Sequence, residues 1–220
     1  MWDKAKRFWH MSLFTKLHRL GTAYYRAKGI VVYRFAFRRF GKGSYILKPL
    51  LILNPEFISI GDRVSIRQGL RLEVVLSGPN KIPDLVIGDD TNIEQNVHII
   101  CHSRVHIGSN VSITGNCSIV DVTHPYDDVH DPTKIGARIQ DKDSFVEIGD
   151  GSLLGFGSVI LPNVRIGAHA VVGANSVVTR DIPDYAVAAG IPAVVLKRYN
   201  FNNETWEKVA PLSASRVRES

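Results

Sequence analysis

From Ile148 to Ile182 an aliphatic residue stands at every sixth position: Ile148, Leu154, Ile160, Ile166, Val172 and Val178. Four places after each comes a small or β-branched residue, namely Ser152, Ser158, Val164, Ala170, Ser176 and Ile182, and glycine follows directly at Gly149, Gly155, Gly167 and Gly173. Neither a helical stripe nor a strand alternation has this period. A fixed short repeat means an array, and six residues make one short strand plus one corner, so three sides close a triangular coil of about 18 residues. The spacing predicts an all-β solenoid, a parallel β-helix, with the recurrent aliphatic pointing inward and coils stacked about 4.8 Å apart. Glycine in the second slot is expected to supply the corner's unusual backbone angles. Each coil buries its interior only against its neighbours, so both ends need caps.

The same grid starts near Tyr45, with Ile46, Ile52, Ile60, Ile66 and Leu72, and resumes after a turn-rich loop (Ser77–Asp84) at Ile87, Ile93, Ile99, Ile107, Ile113 and Ile119. Two steps, Ile52 to Ile60 and Ile99 to Ile107, are eight residues long, so two extra residues must be absorbed at each. The gap from Ile119 to Ile148 is not a multiple of six, and residues 122–147 are expected to leave the coil as an excursion. This divides the chain into an N-terminal helical segment (1–44), a β-helix domain (45–198) and a tail (199–220). Pro183 and Pro192 end the regular pattern, and Asn203–Val209 is expected to add a helical turn. The final stretch through Arg216, Val217 and Arg218 is expected to fray.

The net charge of +6 is unevenly spread: residues 1–42 hold 11 Lys/Arg and one acid, Asp3, and everything after them carries −4. Residues 2–28 read as a helix, because Trp2, Trp9, Leu13, Leu17, Leu20 and Tyr24 recur near steps of three, four or seven among the cations. Two readings stay open: a membrane-surface helix with its cations on anionic lipid, or a helix packed on its own domain or a neighbouring subunit. No nucleic-acid-binding motif accompanies the charge. Two cysteines, Cys101 and Cys117, form no disulfide framework or metal spacing, which points to a reducing, cytoplasmic setting. No secretory signal and no apolar run long enough to span a bilayer is expected.

A prism packed with Ile, Val and Leu leaves no interior cavity, so chemistry belongs where the grid fails. The excursion opens Asp121-Val122-Thr123-His124-Pro125-Tyr126-Asp127-Asp128. A histidine held at a loop base among carboxylates suits a general base near neutral pH. Asp121, Asp127 and Asp128 are the neighbours available to orient it. His98, His102 and His106 invite a zinc reading, but four-residue spacing does not share a face on a six-residue grid. Cys117 falls in an inward slot and reads as core; Cys101 is expected to face outward.

The span from Tyr45 to Arg198 resembles the hexapeptide-repeat acyltransferases, especially the galactoside and maltose O-acetyltransferases and the sugar O-acetyltransferases of surface-polysaccharide synthesis. The residues carrying the likeness are the repeats, THPYDD, IGDGSLLGFGSVILPNVRIG, VVGANSVVTRDIP and AAGIPAVVLKR. The resemblance implies a left-handed coil, a homotrimer with sites between prisms, and acetyl-CoA as co-substrate without a metal. It implies that His124 deprotonates an acceptor hydroxyl, which attacks the thioester without an acyl-enzyme, and that a backbone N–H around Gly155–Phe156 receives the oxyanion. Ala174, Thr179, Arg180 and Lys197 would line the CoA path, the last two as phosphate partners. Glu94, Asp121 and Tyr126 would face the acceptor, a sugar or lipid-linked saccharide. Glu94 stands where the family has a contacting asparagine, which implies a differently charged or more basic acceptor. Leu153 replaces a common tryptophan, and Val194 a phosphate-binding arginine. A serine acetyltransferase would want another histidine–aspartate arrangement and C-terminus. Two alternatives stay open: a metal enzyme resembling the hexapeptide-repeat carbonic anhydrases, whose zinc histidines come in part from adjacent subunits, and a purely structural, non-enzymatic β-helix subunit.

Overall fold

The structure, a computed structural model, describes residues 11–78 and 81–209. Short parallel strands gather into three sheets, each taking every third strand of the coil. Sheet 1 runs from Arg39–Phe40 to Val164–Ile166, and sheet 3 from Leu51–Leu53 to Val177–Val178. Sheet 2 runs from Tyr45–Ile46 to Val171–Val172 and continues into a C-terminal meander. Inward residues stack in register: Ile60, Ile87, Ile107, Ile148 and Ile166 along sheet 1, and Ile66, Ile93, Ile113, Leu154 and Val172 along sheet 2. All ten are buried. At about 1.5–3 kcal/mol for each fully buried aliphatic side chain, these columns hold the coils together.

The second-slot glycines serve a different purpose from the one expected. A Cβ on Gly88 would lie 2.5 Å from the Gly108 carbonyl carbon, on Gly149 2.5 Å from the Ala168 nitrogen, and on Gly167 2.2 Å from the Asp184 nitrogen. Glycine is needed there because backbone of adjacent coils meets at the corner and no side chain fits. The left-handed conformation comes two residues later, at Asp90, Asn110, Gly151 and His169, with φ between +55° and +68°. Asn, Asp and Gly reach that region at least cost.

Of the two eight-residue steps, the first bulges at its corner through the 3-10 turn Pro55–Phe57, entered by Asn54 at φ +54°, and the second lengthens a side. The strand His98–Cys101 pairs with Arg71–Val74, and its extra inward position is Cys101. Cys101 is therefore fully buried, not outward; its thiol lies 3.6 Å from the Asp84 carbonyl, and burial pushes its pKa up. Cys117 is also buried. The excursion is shorter than expected, because Phe145–Ile148 is already a strand of sheet 1.

At the N-terminal end, Ser12 caps helix α1 (Leu13–Lys28) by accepting from the Thr15 N–H. Trp2 and Trp9 lie outside the described residues. The chain then winds through Gly29–Tyr33 and Arg34–Ala36 before the first strand. Tyr33, Phe37 and Phe40 close the prism as a ring cluster with centroids 5.4 Å apart. At the other end, Ala186–Gly190, Ala193–Asn200 and Thr205–Lys208 pair antiparallel. The expected helical turn at 203–209 is thus a strand: Glu204 takes φ +54°, Asn203 accepts from the Thr205 N–H, and Trp206 packs edge-on against Tyr199. Arg216, Val217 and Arg218 lie outside the described residues.

Candidate active site

The excursion leaves sheet 3 after Ser118–Val120 and re-enters sheet 1 at Phe145–Ile148, so it springs from the corner between those sheets. His124 is exposed at its base. The Nδ1 of His124 lies 2.9 Å from the Arg138 carbonyl oxygen, which can only accept, so Nδ1 carries the proton. That leaves the Nε2 lone pair available as a base. Among the described residues no carboxylate orients the ring; a backbone carbonyl does. Arg138 in turn fixes the excursion, donating to the carbonyls of Thr133, Asp128 and Asp131 and pairing with the Asp131 carboxylate at 3.2 Å. The Thr123 hydroxyl donates to the Gln140 side-chain oxygen across the loop's neck. Side-chain patterning could not mark Arg138, since its orienting atom belongs to the main chain.

Asp121 does not face an acceptor. It is fully buried, and its carboxylate accepts from the backbone N–H groups of His102, Ser103 and Arg104 at 2.5–2.7 Å. The strand next to it ends at Val120, and Asp121 satisfies donors that the parallel ladder would otherwise leave bare. Tyr126, by contrast, is 74% exposed.

Gly155, Phe156, Ala174 and Glu94 lie at another corner, between sheets 2 and 3. Backbone bonds run down this column: Glu94 N–H to Ile113 O, Gly155 N–H to Val172 O and Gly173 N–H to Ala188 O, at 2.8–2.9 Å. The Gly155 N–H is therefore committed to the coil. Ser158 donates to Gly155 O at 3.1 Å and Gly157 has φ +70°, which is a type II turn with Phe156 in its second position. Among the described residues the Phe156 N–H has no hydrogen-bond partner, a state it shares with the equivalent N–H groups of Gln95, Gly115 and Ala174 on the other coils of this corner. Gly155 must be glycine, because a Cβ would stand 2.5 Å from the Ala174 nitrogen. Glu94 is half exposed, with Arg67 Nε 3.8 Å from its carboxylate, so part of its charge is already answered within the chain.

Thr179 and Arg180 follow the last strand of sheet 3 and share the His124 corner, two coils further on. Both are exposed, and Arg180 has no ion-pair partner among the described residues. Lys197 sits elsewhere, on sheet 2, paired across the meander with Val187 and Lys208. Two ammonium groups opposed in this way repel, which leaves Lys197 favourable to an incoming anion such as a phosphate. The predicted site residues thus fall into separate groups. His124, Thr179 and Arg180 are at one corner, and Glu94, Gly155, Phe156 and Ala174 are a full prism side away. Six residues of extended chain make that side roughly 15–20 Å.

The three histidines of the zinc reading have separate partners. His106 Nε2 is 2.6 Å from Asp84 and His102 Nε2 is 3.0 Å from the Gln140 carbonyl, while His98 lies on sheet 3. Among the described residues no group of three His, Cys, Asp or Glu side chains converges.

Residues 145–180 match the family described as bacterial transferase hexapeptide (six repeats). A putative lipopolysaccharide biosynthesis O-acetyl transferase, WbbJ of Escherichia coli K12, is 34% identical over 164 residues, which cover 73% of this chain and 81% of that protein. The chain belongs to the hexapeptide-repeat acyltransferases. The galactoside O-acetyltransferase of Lactococcus lactis, another relative, is 38% identical over 105 residues, or 48% of each chain. Among solved structures, AntD, an N-acyltransferase from Bacillus cereus in complex with dTDP and 3-hydroxybutyryl-CoA, aligns with TM-score 0.63 at 23% identity, covering 77% of this chain and 87% of AntD. That likeness is one of fold. Among the described residues no helix is long and apolar enough to cross a membrane.

Proposed function

We propose that the protein is an acetyl-CoA-dependent O-acetyltransferase that modifies a sugar hydroxyl in lipopolysaccharide or surface-polysaccharide assembly, with His124 as general base. The observation that carries this is the His124 tautomer: the Arg138 carbonyl holds the Nδ1 proton on an exposed side chain, which leaves Nε2 as the base. Family membership supplies the reaction class, and the name of the relative spanned over 81% of its length supplies the substrate class. In the reaction, Nε2 takes the hydroxyl proton as the oxygen attacks the thioester carbonyl. The tetrahedral oxyanion accepts from the Phe156 N–H. Its collapse expels the CoA thiolate, which takes the proton back from the His124 imidazolium, and an ester is left on the sugar.

A donor at one corner and a base at another, a prism side apart, cannot act on one thioester within a single chain. Three copies about a threefold axis would bring the His124 corner of one against the Phe156 corner of the next, and the trimer is part of the proposal. The coil is taken as left-handed, as in the family. Glu94 and Tyr126 would face the acceptor; Ala174, Thr179 and Arg180 would follow the pantetheine and phosphates, with Lys197 near the latter.

The test is thiol release from acetyl-CoA against a panel of sugars and nucleotide sugars. His124→Ala should lower turnover by about 10²–10⁴ while CoA affinity by calorimetry stays the same. A variant as active as the parent would remove His124 from the mechanism. A panel with no accepted hydroxyl would remove the sugar.

A further inference from the structure

Helix α1 is turned inside out relative to an ordinary surface helix. Arg26 lies over the Tyr45 ring at 5.1 Å, and a Cβ on Gly29 would meet Phe40 at 2.9 Å, so this polar and small face lies toward the prism. The apolar residues are elsewhere. Leu13, Leu17, Leu20 and Tyr24 recur at steps of four, three and four and are 57–73% exposed. A stripe with that spacing occupies one side of the helix. Val31 (67% exposed) and Phe35 (83%) continue the exposed apolar run past the helix, and Phe14 (85%) flanks its start. No residue of α1 is buried. A contiguous exposed apolar stripe of this size marks a docking surface.

The charge around it identifies the partner. Between residues 11 and 55 the chain holds nine cations, Lys16, Arg19, Arg26, Lys28, Arg34, Arg38, Arg39, Lys42 and Lys48, and no carboxylate; of these, Arg38 pairs with Asp84 and Arg39 with Asp62 on the coils. Arg26, Arg34, Arg39 and Lys42 line a cleft of about 630 Å³ beside the helix, in which Asp62 is the one acid. A self-associating seam is favoured by opposite charges along its flanks, and this one would oppose cation to cation. An anionic bilayer answers both features: acyl chains take the leucines and aromatics, and headgroup phosphates take the arginines and lysines.

We propose that the outward stripe of helix α1, with the basic cleft beside it, docks the protein on an anionic phospholipid surface. This inference is independent of the acyltransferase reading, because it concerns adsorption and not turnover.

Full-length protein would be sedimented with vesicles of phosphatidylcholine alone or with 30 mol% phosphatidylglycerol, at about 0.1 M salt, where screening still leaves surface attraction. Binding to the anionic vesicles only, weakened by added salt, is expected. Each cation near such a surface is worth about 1 kcal/mol, or about fivefold. Arg34→Gln/Lys42→Gln should therefore weaken partitioning roughly 25-fold, and Leu17→Gln/Leu20→Gln by tenfold or more. These side chains are exposed, so unchanged circular dichroism is expected for both variants. Inorganic phosphate at millimolar concentration should not release the protein; release would assign the cleft to a free anion and overturn the lipid reading. Equal binding by parent and variants would overturn it too, as would a smaller oligomer for Leu17→Gln/Leu20→Gln in light scattering, which would make the stripe a subunit contact.

Discussion

Phe156 occupies the second position of its turn, where the backbone N–H points away from the turn's own bond and proline is a favoured residue. Gly157 follows at φ +70° and Gly155 precedes, so a proline meets no steric objection from either neighbour. Phe156→Pro therefore deletes the free donor while keeping the corner. Phe156→Ala keeps the donor and deletes only the ring. If this N–H receives the oxyanion, Phe156→Pro should lose about 10²–10³ in kcat, the usual worth of one such donor, and Phe156→Ala far less. Equal losses in the two variants would place the importance in the ring. The inward slots were readable residue by residue, since one aliphatic every six residues leaves little freedom. The role of Gly155 was not, because its reason lies in the next coil: the Ala174 nitrogen would be 2.5 Å from its Cβ.

At the scale of a strand, Asp84 opens Asp84–Ile87 in sheet 1 and ties three segments together. Its carboxylate accepts from Arg38, which reaches up from the N-terminal winding, and from His106 one coil on. Partial burial works to raise the Asp84 pKa, but the hydrogen bonds from Arg38 and His106 outweigh it and hold the group below the usual carboxylate value. A depressed folded pKa means that the pairing stabilises the fold above the unfolded pKa, about 3.9, and that this stability is lost as pH falls through the lower folded value. Urea midpoints of the parent should therefore exceed those of Asp84→Asn at pH 7, and the gap should close as pH drops below about 4. A gap that stays constant to pH 2.5 would mean that shape, not charge, distinguishes the two.

Elements were legible in proportion to how local their cause is. The grid predicted the strands from Tyr45–Ile46 to Val177–Val178 other than Phe145–Ile148, because each is set by the inward aliphatic of its own hexad. It misplaced the end of the excursion, since only Ile148 lies on the grid and the rest of Phe145–Ile148 is recognisable as a strand only once Arg104–Ile107 lies beside it. It missed Thr205–Lys208 for the same reason: that strand depends on pairing with Ala193–Asn200. His124 was recognisable from THPYDD, whereas the atom that orients it, the Arg138 carbonyl, is contributed by a residue fourteen positions away.

For the molecule as a whole, the separation of the His124 corner from the Phe156 corner has a consequence that can be counted. In a closed ring each site would take its base from one protomer and its oxyanion donor from the next. His124→Ala and Phe156→Pro chains are each inactive as pure assemblies under the proposed mechanism. When equal amounts are unfolded together and refolded, a site works only where a Phe156→Pro chain supplies the histidine and a His124→Ala chain supplies the donor. With random assortment that is about one site in four, so the mixture should recover about a quarter of the parent's thiol release. If base and donor instead acted from the same chain, no mixed assembly would contain an intact pair, and activity would stay at the level of the separate variants. Mixing without unfolding serves as the control: recovery should then be slow, limited by subunit exchange. The recovered fraction tests the shared site without any need to know the acceptor's biological identity, since any hydroxyl that supports turnover will report it.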